Sequence, residues 1–183
     1  MVTDRQLIRI IYSQWDLQQS LSALTFLMEE CDYDTKYTSV QLRRLKCFET
    51  TAMISLARPF ETSRNGTTLS LKSIGVKLDP KENVLLERVM SLRRKIIAHS
   101  DEEEMRFRAF TFPVLEGSQN FPRLQYDEGL QLSEDELLPL ESLIRSLMHS
   151  IAGFIYELAQ SDPERLNFCK FPASVEERRK RYS

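Results

Sequence analysis

The sequence predicts an all-α protein, an up-and-down bundle of four main helices with a β-hairpin or extended insertion before the last of them. Three observations carry that prediction. Apolar residues recur at alternating spacings of three and four over four stretches. Only 5 glycines and 7 prolines punctuate 183 residues, which favours helix over sheet. Between the third and fourth stretches the period shortens toward the alternation of a strand.

The first helix is expected from Thr3 to about Glu30. Leu7, Ile10, Leu17, Leu21, Leu24 and Met28 hold a heptad-like register, with Gln14 at the one missing position. Ile8, Ile11, Trp15 and Phe26 widen the apolar face. Gln14 at a core register is either satisfied by a neighbouring helix or directed toward a site. The second helix covers roughly Tyr37 to Ala57, with Leu42, Leu45, Phe48, Ala52 and Leu56 as its stripe. Pro59 argues against continuation past Arg58. Arg43, Arg44 and Lys46 form a basic patch on its early half, either a solvated face or a surface for RNA phosphates. Residues 62–78 read as a connection, with Gly66 and Gly75 as breakers and Leu69, Leu71, Ile74 and Val76 covering the bundle.

The third helix is expected from Pro80 to about His99. Asp79 can cap it, Pro80 suits its first position, and Glu82 can close a capping box. Leu85, Val89, Leu92, Ile96 and His99 make one stripe, and Leu86, Met90, Arg93 and Ile97 a second. Arg93 thus interrupts a row that should be buried, whereas Arg94 lies in the more polar row of Glu87, Ser91 and Ala98. A cation and an imidazole end adjacent apolar rows, within about 9 Å along the axis at ~1.5 Å per residue. Groups of this kind need partners, another chain, or a cleft. Viewed alone, the pair fits a histidine favoured by the helix dipole and an arginine snorkelling to water.

The surrounding residues, Leu92-Arg93-Arg94-Lys95-Ile96-Ile97-Ala98-His99-Ser100-Asp101, change that balance. They resemble the signature of HEPN-domain proteins, in which an arginine precedes a histidine by four to six intervening residues. The form Leu-Arg-x-Lys-x-x-Ala-His-x-Asp looks most like the abortive-infection (AbiU-type) branch. The resemblance spans the helical body, with only these ten residues carrying a specific motif. Arg93 and Arg94 both fit the spacing, and the apolar row and Lys95 favour Arg93. Asp101 stands where one sub-group carries a modifiable tyrosine, which argues against a nucleotidyl-modification switch.

The resemblance implies metal-independent endoribonuclease activity on single-stranded RNA or tRNA, in phage defence or a toxin–antitoxin setting. Family members pair two motifs across a homodimer. Arg93 or Arg94 would then clamp phosphate and His99 would handle protons or stabilise charge, with Lys95, Ser100 and Asp101 in support. The implied partners are RNA, a second copy of the chain, and a neutralising antitoxin or operon partner protein. The competing reading is a non-catalytic HEPN-like module for dimerisation or protein interaction. It draws on the acidic run Asp101 to Glu104, which would favour the imidazolium form yet repel phosphate.

After this run, Met105 to Phe112 has an alternating tendency with Phe107 offset. Residues 105–115 and 121–132 are expected to form the hairpin. Arg106 and Arg108 among aromatics suggest a stacking and phosphate surface for RNA, while the plainer expectation is a Phe face packed on the bundle. Ser133-Glu134-Asp135-Glu136 is a further capping box, but Pro139 should disturb the helix there, so the main run is expected from Pro139 to Gln160. Leu140, Ile144, Leu147, Ile151, Phe154 and Leu158 are its stripe, and His149 lies off it.

One domain is the default for this length, with the bundle and its insertion (103–132) over residues 1–162 and a tail with a basic end over 163–183. The formal charge of −2 offers no bulk field for nucleic acid, so RNA contacts would be local. Cys31, Cys47 and Cys169 lack zinc spacing and suit a reducing, cytoplasmic setting. No secretory h-region or membrane-length apolar run is visible, and no membrane association is expected. Glycine-rich phosphate loops, nucleophile elbows and His-rich metal motifs are absent from the sequence, so neither cofactor nor metal is expected.

Overall fold

Thr3 opens the first helix, α1 (Asp4–Glu30), with a capping box in which its hydroxyl accepts from the Gln6 amide and the Gln6 side chain accepts from the Thr3 amide. Thr38 and Gln41 repeat the device for α2 (Ser39–Ala57) and Asp79 and Glu82 for α3 (Pro80–Leu92); at α4 (Glu134–Ser161) the Glu136 carboxylate accepts from the Ser133 amide and hydroxyl, and the Glu136 amide donates to the Ser133 carbonyl. Each box satisfies two backbone amides that a helix start leaves without partners. In this computed structural model, residues 2–62, 66–98, 107–114, 119–126 and 128–167 are described. The four α-helices share one hydrophobic core, and the remaining regular structure includes a two-stranded antiparallel sheet, β1 (Phe107–Val114) and β2 (Gln119–Tyr126).

Leu7, Leu17, Leu24 and Leu27 of α1 are fully buried with Met53 and Leu56 of α2 and Leu140, Leu143, Ile144, Leu147 and Ile151 of α4. Burial of each such side chain contributes about 1.5–3 kcal/mol of transfer free energy. α1 also buries Ser13, Asp16, Ser20 and Ala23, a second row beside its leucines. Small residues in that row let α1 and α2 approach closely, and the Ser20 hydroxyl donates to the Ala52 carbonyl at 2.8 Å. The expected widening of the α1 face is narrower than its sequence suggests. Trp15 is 60% exposed and Phe26 is exposed beyond its tilted contact with Phe48, because the buried arc turns toward Ser13 and Ser20.

The ends of two helices differ from expectation. α4 begins at Glu134 and continues through Pro139. Pro139 forfeits one amide donor, but the Glu136 cap and three bonds from Arg88, two to the Glu136 carboxylate and one to the Gln131 carbonyl, hold the first turns in place. The third helix is α-helical only to Leu92; Arg93–Ala98 is a π-helical turn. The change in winding shifts the residues after Leu92 off the rows that a uniform 3.6 period assigns.

The hairpin forms in its expected place, with the second strand over 119–126 where 121–132 was expected. β1 and β2 pair from Phe107 with Tyr126 to Val114 with Gln119. Residues 128–132 lie outside the ladder and return to the bundle, where Leu132 enters the core. The expectation that a Phe face packs on the helices is corrected. Phe107, Phe110, Phe112, Phe121, Leu124 and Tyr126 are each 41% to 61% exposed, and the two strands pack mainly on each other. Among the described residues, no helix is long and apolar enough to cross a membrane.

Candidate functional site at the end of the third helix

The motif arginines sit on the π-turn, a winding found often at functional sites because it re-aims side chains within a helix. Arg93 points back to the connection after α2. There Pro59 closes the helix into a short 3₁₀ turn, Arg58–Phe60, and Glu61 follows it. The Arg93 guanidinium meets the Glu61 carboxylate at 2.7 Å, with side chains 30% and 21% exposed. Arg9 of α1 holds the same segment through its backbone, donating to the Thr67 carbonyl at 2.7 Å and to the Glu61 carbonyl at 3.4 Å. Arg9 thus holds the Glu61 backbone, and the Glu61 side chain receives Arg93.

A second pair lies on the same connection. Arg58 approaches Asp16 of α1 at 3.5 Å. Burial pushes the Asp16 carboxyl above its ordinary range, and the Arg58 charge opposes that rise. Between them, Arg9, Arg58 and Arg93 tie α1, the end of α2 and the π-turn into one charged seam with Asp16 and Glu61.

Arg94 differs from its neighbour. Its side chain is exposed, and it makes no ion pair among the described residues. Lys95 is exposed as well. His99, Ser100 and Asp101 of the motif lie outside the described residues, as does Arg106. The two arginines that the sequence leaves as alternatives thus occupy distinct environments, one anchored to a carboxylate and one presented outward.

The basic patch on α2 is engaged within the chain. Arg43 pairs with Glu128 through Nε at 2.9 Å, Arg44 with Glu30 at 2.6 Å, and the Lys46 ammonium donates to the Gly129 carbonyl at 3.5 Å. Arg44 also lies over the Phe48 ring. An anion at this patch would have to displace carboxylates that already satisfy it. Arg108, by contrast, projects from the hairpin with no ion pair among the described residues, and so does Arg123, which the sequence argument passed over.

Two further acidic residues gain significance only in three dimensions. Glu61 carries no sequence signal, since its partner is distant in the chain. Glu49 does carry one: Leu42, Leu45, Glu49, Ala52 and Leu56 form a stricter three–four stripe than the row through Phe48, and a glutamate interrupts it. Glu49 is fully buried, and one of its carboxylate oxygens accepts from the amides of Gln131 and Leu132 at 2.6 and 2.7 Å. Burial raises its carboxyl above the ordinary range, while those two amides and Lys46 oppose the rise. It clamps the chain between the hairpin and α4 onto α2. Tyr33 assists by donating to the Leu132 carbonyl at 2.9 Å. The second Glu49 oxygen and the buried Gln14 Oε1 have no partner among the described residues. Comparison with protein-family models, with curated proteins and with solved structures finds no match.

Proposed function

We propose that the chain is a metal-independent endoribonuclease of HEPN type, acting on single-stranded RNA or tRNA as a homodimer. The observation that carries this reading is the π-turn, which holds one motif arginine on Glu61 and leaves the next, Arg94, exposed and without an ion pair among the described residues. An exposed guanidinium is able to receive a phosphodiester, and a neighbouring one fixed in place keeps the turn in register.

The chemistry would proceed by attack of a ribose 2′-hydroxyl on the adjacent phosphorus, breaking the bond to the 5′ oxygen of the next nucleotide. The products are a 2′,3′-cyclic phosphate and a 5′-hydroxyl, so protons are transferred without net consumption of water. An imidazole such as His99, with a pKa near the working pH, suits that transfer, and Arg94 would stabilise charge on the phosphoryl oxygens. Arg93 would act as a positioning residue through Glu61. Phage defence, with a neutralising partner protein, is the setting that the motif's resemblance suggests.

A non-catalytic interaction module is the second reading. It is favoured by the exposed aromatic side chains of a hairpin that lies largely clear of the helices. Incubation of purified protein with labelled single-stranded RNA and tRNA in EDTA separates the two, with His99→Ala alongside. Cleavage to cyclic-phosphate ends that is lost in the variant supports the nuclease. A folded dimer that leaves both RNAs intact supports the module.

A further inference from the structure

The two faces of the hairpin differ in chemistry. The strand register places Arg108, Phe110 and Phe112 of β1 on one face with Gln125, Arg123 and Phe121 of β2. Phe107, Ala109, Leu124 and Tyr126 lie on the other. The first face has a definite order. Arg108 stands opposite Gln125, Phe110 opposite Arg123, and Phe112 opposite Phe121. Arg123 lies 6.0 Å from the centre of the Phe110 ring, and the Phe112 and Phe121 rings are tilted together at 6.5 Å.

All six side chains are exposed, and neither arginine makes an ion pair among the described residues. Neither strand contains an aspartate or a glutamate. In a chain with formal charge −2, and beside an α2 patch whose cations are already engaged, this is a surface of guanidinium groups without carboxylate partners among the described residues, interleaved with rings. A purely apolar partner would have to desolvate both arginines without compensation. A duplex would offer phosphates but keep its base faces stacked inside. A single strand offers both phosphates and open base faces. At its base, the hairpin borders a cleft of about 940 Å³ lined by Arg108, Arg123 and Tyr126, by Glu128, and by Leu42 and Arg43 of α2.

We propose that this face of the hairpin is a binding platform for single-stranded RNA, with bases stacked on Phe110, Phe112 and Phe121 and phosphates held by Arg108 and Arg123. Its binding role stands on the hairpin's own residues; delivery of the bound strand to the motif at the end of α3 rests on the nuclease reading.

The test is fluorescence anisotropy of a labelled polyuridine strand of about fifteen nucleotides in EDTA, over a range of salt concentrations. His99→Ala protein is used so that the probe stays intact, beside a duplex RNA and a labelled polyglutamate peptide. The single strand is expected to bind more tightly than the duplex. Arg108→Ala/Arg123→Ala should weaken it at least ~10-fold and flatten the log–log salt slope by about 1.4, the value for two phosphate contacts to a single strand. Phe110→Leu/Phe112→Leu/Phe121→Leu should also weaken binding ~10-fold, with the salt slope unchanged, because it removes stacking and keeps the charge.

Crosslinking of a 4-thiouridine strand to the otherwise unaltered protein gives a second readout, independent of variant folding, and its adducts are expected within 107–126. Adducts confined to the helices, binding by both variants as tight as by the His99→Ala parent, or preference for polyglutamate would each overturn the platform, the last in favour of an acidic protein partner. Binding at the hairpin by a wild-type protein that cleaves no RNA would leave the platform standing and remove the nuclease. Unaltered cleavage and binding in the arginine variant would do the reverse.

Discussion

The Arg93 guanidinium and the Glu61 carboxylate, 2.7 Å apart, join the last turn of the third helix to the connection that follows the second. The pair couples a motif residue to a segment already fastened to α1 by Arg9. It also splits two adjacent arginines into different environments, since Arg94 is exposed and has no such partner among the described residues.

Removal of either partner of this pair should cost about 1 kcal/mol, the upper range for a pair that still sees solvent. Urea unfolding of Arg93→Ala, Glu61→Ala and the double variant measures it. The double variant is expected to lose less than the sum of the single losses; strict additivity would show that the two side chains are not coupled.

Arg94→Ala should change stability by less than ~0.5 kcal/mol, because substitution of an exposed side chain away from the core has little to lose. Under the proposed chemistry the same variant loses RNA cleavage while its melting temperature and its dimer remain. Retained cleavage at the wild-type rate would transfer the phosphate role to Arg93.

Glu49→Ala leaves the Leu132 amide buried without an acceptor and should destabilise the fold by on the order of 3 kcal/mol. The pH dependence has a definite sign. Because burial raises the Glu49 carboxyl in the folded chain, the folded state holds its proton more tightly than the unfolded state. Its stabilising contribution is therefore complete below the unfolded carboxyl range and declines as pH rises toward the folded value. Denaturation of wild type and Glu49→Gln across that window should show the variant gaining relative stability as pH rises, and a constant difference would refute the assignment.

Pro139→Ala should stabilise the protein by about 1–2 kcal/mol. It restores an amide donor toward the Asp135 carbonyl within a helix that already runs through this position. Thermal unfolding reads the effect directly, and a loss of stability would mean that the rigid ring contributes more than the missing bond.

The sequence by itself determined the four helices, their capping boxes, most of their buried stripes and the place of the hairpin. Those features arise from local backbone satisfaction and from periodicity, both of which are written in short windows of residues. It also marked Arg93 and Arg94 as exceptional, the first on an apolar row and the second on a polar one, though not what Arg93 pairs with. Tertiary structure decided that partner, because Glu61 reaches Arg93 only when the α2–α3 connection folds back onto α1. It likewise decided that Glu49 is a buried clamp, since its acceptor role depends on the amides of Gln131 and Leu132, far along the chain. The hairpin shows the same division. Alternation identifies strands, but only the pairing register gathers Arg108, Arg123 and three phenylalanines onto one face, and only packing determines that this face remains open to solvent.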